Sequence, residues 1–236
     1  MTTNATHRFG LLIPASNTTV EVEFCAAMPP TCSLHFARLN MPTADRAGWL
    51  LQDADIDYQS RLLGTARVEM LLLGQTSASF FAPDYDDTVR ARMQHHSGRP
   101  ATTAALAVVA ALRALGAERI SMVSPFQEEV AALGVAYFAT HQLEVVHQES
   151  FALRDNDSIS RISPDHIFEA ALRADTPRTQ AVLIPGGNFR GLALIPRLEA
   201  ALGKPVVTTN QAGMWTLLRQ CGESTAMPGM GKLFGA

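Results

Sequence analysis

Short apolar runs of five or six residues recur along the chain and alternate with longer amphipathic segments, and this alternation limits the fold more than any other feature. RFGLLI (8–13), LHFAR (34–38), VEMLLL (68–73), RISMVS (119–124), LEVVHQ (143–148), QAVLIP (180–185) and PVVTT (205–209) are bounded by Pro, Gly, Asn or Ser and predict strands. Helical spacing is found around 18–28, 53–66, 84–95, 101–115, 127–140, 164–174, 190–201 and 211–219. Strand and helix taken in turn build βαβ units, so the expected fold is α/β with mostly parallel sheets covered on both faces.

The chain also repeats itself. A shift of 111 residues lays Arg8-Phe9 on Arg119-Ile120, Pro14 on Pro125, the run 68–73 on 179–184, and Gln75-Thr76-Ser77 on Gly186-Gly187-Asn188. A related echo joins GRPATT (98–103) to GKPVVTT (203–209) at an offset of 105. The register predicts two halves related by a pseudo-twofold, 1–98 and 99–209, with a C-terminal helix in 210–236 packing back on the first. Ligands of open parallel sheets bind outside the carboxyl ends of the strands. Asn17, Gln75 to Ser77, Phe126 and Gly186 to Asn188 are therefore expected to share one cleft between the halves.

Composition removes several function classes. A net charge of −3 gives no general attraction for nucleic acid or anionic membrane. The polar start MTTNATHRFG does not resemble a signal peptide, and no apolar run approaches a membrane span, so a cytoplasmic protein is expected. Cys25, Cys32 and Cys221 show no metal-ligand spacing and read as buried or incidental thiols.

Among polar constellations, Thr76 and Ser77 offer two hydroxyls and two amides at a strand-to-helix junction, an arrangement suited to a carboxylate or to simple helix capping. Asn17, Asn188 and Asn210 stand at predicted strand ends, where a carboxamide can cap a helix or donate to a substrate oxygen. PGGN (185–188) lacks the full dinucleotide pattern, GMGK (229–232) is a weak match to a phosphate loop, and no GxSxG elbow is found. His95-His96 lack a second ligand cluster, and Asp84 to Asp87 read as a solvated helix start.

PASNTTVE (14–21), GQTSASFF (74–81), the stretch 98–126, the stretch 183–207 and TTNQAGMW (208–215) together resemble the aspartate/glutamate racemase superfamily, in its branch of maleate cis–trans isomerases and arylmalonate decarboxylases. The resemblance covers nearly the whole chain. It implies two flavodoxin-like halves and a cofactor-independent site between them, which binds a carboxylate in a dioxyanion hole and moves protons with one cysteine from each half. Those cysteine positions fall here on Gln75 and Gly186, so both thiols are missing, and the tyrosine of the isomerase and decarboxylase branches corresponds to Phe126. Asn17, Thr76, Ser77, Phe126, Gly187, Asn188 and Asn210 remain as the substrate-binding set.

The resulting expectation is a divergent, thiol-free enzyme, decarboxylase-, isomerase- or hydrolase-like, acting on a small carboxylate or dicarboxylate without a cofactor. Glu128, Glu129, His95 and Asp84 are candidate acid/base groups. The alternative is a carboxylate-binding protein that has lost turnover. A titratable group lining the cleft favours the first reading, and a lining of amides and hydroxyls favours the second. Phe80 and Phe81 either wall the pocket or pack the core, and the exposed helical faces would allow a homo-oligomer.

Overall fold

The computed structural model describes residues 6–43, 45–223 and 227–236. Strands β1 (His7–Pro14), β2 (Cys32–Leu39), β3 (Met70–Leu73) and β4 (Ala101–Thr103) form one sheet in the order β2-β1-β3-β4. Strands β5 (Arg119–Ser124), β6 (Glu144–Ser150), β7 (Ala181–Ile184) and β8 (Val206–Thr208) form a second in the order β6-β5-β7-β8. Every pairing is parallel. The two sheets have the same topology, and β3 and β7 are offset by the 111 residues of the repeat while β4 and β8 carry the offset of 105.

The helices are α1 (Val20–Ala27), α2 (Arg46–Thr65), α3 (Tyr85–Ser97), α4 (Ala104–Ala114), α5 (Glu128–Thr140), α6 (Asn156–Arg161), α7 (Pro164–Ala174), α8 (Ile195–Leu202) and α9 (Thr209–Gln220). β4 is short, and the helical spacing expected from residue 101 hides it. It pairs with β3, so a division after residue 98 would cut this strand from its sheet. Thr103 then caps α4, accepting from the Leu106 amide, as Thr208 caps α9, accepting from the Gln211 amide.

Helix α2 starts earlier than its periodicity suggests. Asp45 caps it through the Gly48 amide, and a side chain at Gly48 would collide with the Thr43 carbonyl, so a residue that weakens the helical pattern is required by packing.

α4 and α9 pack on each other between the sheets, and α9 also touches α1 and β3 of the first half. This pairing makes the interior continuous: Phe9, Leu11 and Leu72 from one sheet join Ile120, Met122, Leu183 and Val207 from the other in a single buried cluster. Two outer clusters lie beneath the flanking helices of each sheet. No helix among the described residues is long and apolar enough to cross a membrane.

Candidate functional site

The carboxyl ends of both central strand pairs face one small cavity of about 30 Å³, lined by Pro14, Asn17, Met41 and Gly74 to Ser77 from the first half. Pro125, Phe126, Asn156, Ile159 and Gly186 to Asn188 close it from the second. The sequence-predicted residues all line this cavity except Asn210, which stands behind the loop at Gly187.

The loop at the end of β3 is set by its backbone. The Gly74 amide donates to the Leu12 carbonyl, Gln75 is extended, and Thr76–Phe80 form a single stretch of 3₁₀-helix rather than the start of an α-helix. Its first-turn amides cannot be satisfied from within the helix. The opposing loop turns at Gly186, whose φ of +115° is a conformation for glycine. Gly187 lies so close to the first half that a Cβ there would be 2.8 Å from Val20 Cγ2 and 3.2 Å from the Gly74 carbonyl oxygen.

Hydrogen bonds divide the polar residues into anchors and groups that can serve a ligand. Asn188 is anchored at both ends: Oδ1 accepts from the Thr18 amide at 2.9 Å and Nδ2 donates to the Asn156 carbonyl at 2.6 Å. Asn17 Oδ1 accepts from the amides of Thr19 and Val20, capping α1 and leaving Nδ2 as the group it can offer. Asn210 Nδ2 donates to Glu23 at 2.6 Å and to the Gly187 carbonyl at 3.0 Å, which holds the second loop from outside the cavity. Thr76 Oγ1 is paired with Thr209 Oγ1 at 2.7 Å, and Thr209 Oγ1 accepts from the Gly186 amide at 2.9 Å. Gln75 Nε2 contacts Met41 Sδ at 2.9 Å and Ser77 Oγ at 3.4 Å, while its Oε1 is buried with no protein partner.

A family model for arylmalonate decarboxylase matches residues 9–234. The chain belongs to this family. It is 29% identical to the arylmalonate decarboxylase of Bordetella bronchiseptica over 183 residues, 76% of each chain. The maleate isomerase Iso of Pseudomonas putida S16, solved with maleate, superposes with a TM-score of 0.93 at 25% identity over 97% of each chain. The maleate cis–trans isomerase of Nocardia farcinica, solved as a cysteine-to-serine mutant with a covalently bound succinylcysteine intermediate, gives 0.92 at 26% identity over 97% of this chain and 98% of that one.

Among the described residues, none that lines this cavity is a thiol, imidazole, carboxylate, amine or phenol. Asp84, His95, Glu128 and Glu129 are all exposed and absent from the lining, so none of the acid/base groups proposed from sequence reaches it. The helix start at 84–87 is also not wholly solvated as expected. Tyr85 and Asp86 are buried, and Asp86 accepts from Ser79, Thr103 and Tyr137 hydroxyls, each at 2.6 Å. Burial, with Asp86 adding to it, holds the Tyr137 phenol well above its ordinary range.

Phe80 and Phe81 do not line the cavity. Phe80 packs among Phe126, Tyr137 and Phe138, and Phe81 lies against Trp49. Phe126 lines the cavity.

Glu23 stands behind Asn210, outside the lining. Burial pushes its carboxyl up to about 7, against the opposing pull of Asn210, the Leu192 amide and Arg190.

Sequence reasoning missed Met41, Asn156 and Ile159 as lining residues and Thr209 as the hydroxyl behind the cleft. Asp155 caps α6 through Ser158, and this Asp-to-Ser spacing is the one signal that marks the helix carrying Asn156 and Ile159.

Proposed function

We propose that this member of the arylmalonate decarboxylase family binds a small carboxylate or dicarboxylate in the interdomain cleft and decarboxylates it without a thiol or a cofactor. The observation that carries the reading is the Gln75 carboxamide. Gln75 lines the cavity at the position where the resemblance implies a proton-transfer cysteine, and its Oε1 is a buried acceptor with no protein partner. An unmet acceptor of this kind costs free energy unless a donor comes from a ligand or a water. The cavity has room for about one water.

In this reading, Ser77, Asn17 Nδ2 and the first-turn amides grip one carboxylate. The second carboxylate lies against Pro14, Pro125, Phe126 and Ile159, where apolar surroundings favour its loss as carbon dioxide. The electron pair left on the α-carbon delocalises into the gripped carboxylate as an enediolate, stabilised by the same donors. A water held by Gln75 Oε1 returns a proton to the carbon, and the hydroxide left behind is neutralised by solvent.

One observation favours a second reading, a carboxylate-binding protein without turnover: the lining holds amides, hydroxyls and apolar groups with no titratable side chain. Proton NMR in deuterated water with arylmalonates, alkylmalonates and maleate separates the two. Product carrying deuterium at the carbon beside the carboxylate supports decarboxylation with water as the proton source. Saturable line broadening with no product transfers the conclusion to the binding protein.

A further inference from the structure

At the amino-terminal ends of the first sheet's strands, away from the cleft, three different metal-ligating side chains converge. His7 opens β1, Glu69 precedes β3, and Cys221 caps α9. Among the described residues, one ligand atom from each lies within 4.8 Å of the others. His7 Nδ1 is 3.0 Å from Glu69 Oε2, and Cys221 Sγ donates to the same oxygen at 3.1 Å. The cleft is reached only after the full length of β1, roughly 20 Å at the rise of an extended strand.

We propose that His7, Glu69 and Cys221 form a binding site for a divalent, thiophilic metal ion of the zinc type. Imidazole nitrogen, carboxylate oxygen and thiolate sulfur are the donor types such an ion accepts, at about 2.0–2.3 Å, which places neighbouring donors of a tetrahedron roughly 3.3–3.8 Å apart. The existing separations of 3.0 and 3.1 Å are a few tenths of an ångström shorter than that range. Glu69 is an exposed side chain and can open the set by the small amount required. The metal takes the place of hydrogens in contacts that already hold the donors together, and the Cys221 thiol proton passes to solvent as the ion binds.

Two features beyond the donors support the assignment. The other ring nitrogen of His7 faces a Glu223 carboxylate at 3.9 Å, the kind of outer carboxylate that orients a ligating imidazole. The ring plane is set by stacking on Phe9, and the backbones are pinned by Glu69 N–H to the Arg8 carbonyl and Cys221 N–H to the Leu218 carbonyl. A bound ion would tie the first strand of the chain to the end of its last α-helix, leaving a fourth coordination position open to water. Its role is structural, and it is independent of the reading given to the cleft.

Cobalt(II) titration of the full chain tests the site, because a thiolate on tetrahedral cobalt gives a near-ultraviolet charge-transfer band and strong visible bands. The protein is used with Cys25→Ser and Cys32→Ser, so that Cys221 is the sole thiol. One equivalent of cobalt is expected to produce both bands, and zinc is expected to remove them by displacement. Cys221→Ser in the same background should abolish the charge-transfer band, and His7→Gln should weaken cobalt binding by at least about tenfold. No saturable band, or an unchanged band in either variant, overturns the site. Circular dichroism of each variant without metal confirms folding, and a zinc-dependent rise in Tm that His7→Gln removes supplies a readout that needs no chromophore.

Discussion

Thr209 Oγ1 lies 2.7 Å from Thr76 Oγ1, joining the first turn of α9 to the 3₁₀-helix of the other half. Thr209 already accepts the Gly186 amide, so its own proton is free to be given to Thr76, which releases the Thr76 proton for an anion in the cleft. The three groups then form one chain of aligned donors, and a bound carboxylate selects that ordering over the reverse. Thr209→Val should weaken carboxylate binding by about 1–2 kcal/mol, whereas Thr209→Ser should stay within roughly 0.5 kcal/mol of the parent. Calorimetric titration with malonate checks the pair, and equal losses in both variants would reduce Thr209 to packing.

Thr76→Ala combined with Ser77→Ala removes both hydroxyls of the first loop. Charge-assisted hydrogen bonds of this kind are worth enough that affinity for a small carboxylate should fall by roughly 2–4 kcal/mol. Unchanged affinity in a folded double variant would refute the grip.

Tyr137 connects the halves in another place. Its hydroxyl donates to Asp86 Oδ2 at 2.6 Å, while Ser79 and Thr103 donate to Oδ1, so a buried carboxylate of the first half depends on a donor from the second. Tyr137→Phe leaves one carboxylate oxygen short of its donor and should destabilise the fold by about 1–3 kcal/mol, read by urea denaturation.

What could be read from sequence follows from the range of the interactions involved. Gln75 to Ser77 and Gly186 to Asn188 stand out because a strand end, a glycine and small polar residues are local signals, and the repeat aligns them. Asp86 was misread because Asp84-Tyr85-Asp86-Asp87 looks solvated, while its donors come from positions 79, 103 and 137. Thr209 carries no local signal, because its role depends on Thr76, 133 residues earlier. α6 is too short to show a helical period, so Asn156 and Ile159 could not be placed on the cavity. Asn188 was recognised as a cleft residue, but both ends of its carboxamide are taken by other segments, which only coordinates reveal.

The two positions where the resemblance implies cysteines differ in what they can accept. Gln75 is extended, at φ −136° and ψ 109°, a conformation open to any residue, so Gln75→Cys should fold with a stability loss of at most about 1.5 kcal/mol. Gly186 has a φ of +115°, and a Cβ there would lie 3.1 Å from Pro125 Cγ. Gly186→Cys should therefore cost more, on the order of 1–3 kcal/mol from backbone strain alone. Denaturation midpoints compare the two, and equal stability would mean that this loop refolds readily around a thiol.

Glu23 sets a pH dependence with a defined sign. Its carboxyl has a pKa near 4.5 when unfolded and about 7 in the folded chain, so between these values the native state holds more protons than the unfolded one. The favourable contribution is fully present below about pH 4.5 and is lost as the pH rises through 7, when a partly buried carboxylate has to ionise. Glu23→Gln keeps an acceptor for Asn210 Nδ2 and carries no charge, so it should flatten this part of the stability profile and gain roughly 1–3 kcal/mol over the parent at pH 8. Because Asn210 also holds the Gly187 carbonyl, carboxylate affinity of the parent should change over the same pH interval while that of Glu23→Gln does not. Urea denaturation and malonate titration from pH 5 to pH 8 on both proteins check the two halves of this prediction, and parallel profiles would show that Glu23 does not titrate in this range.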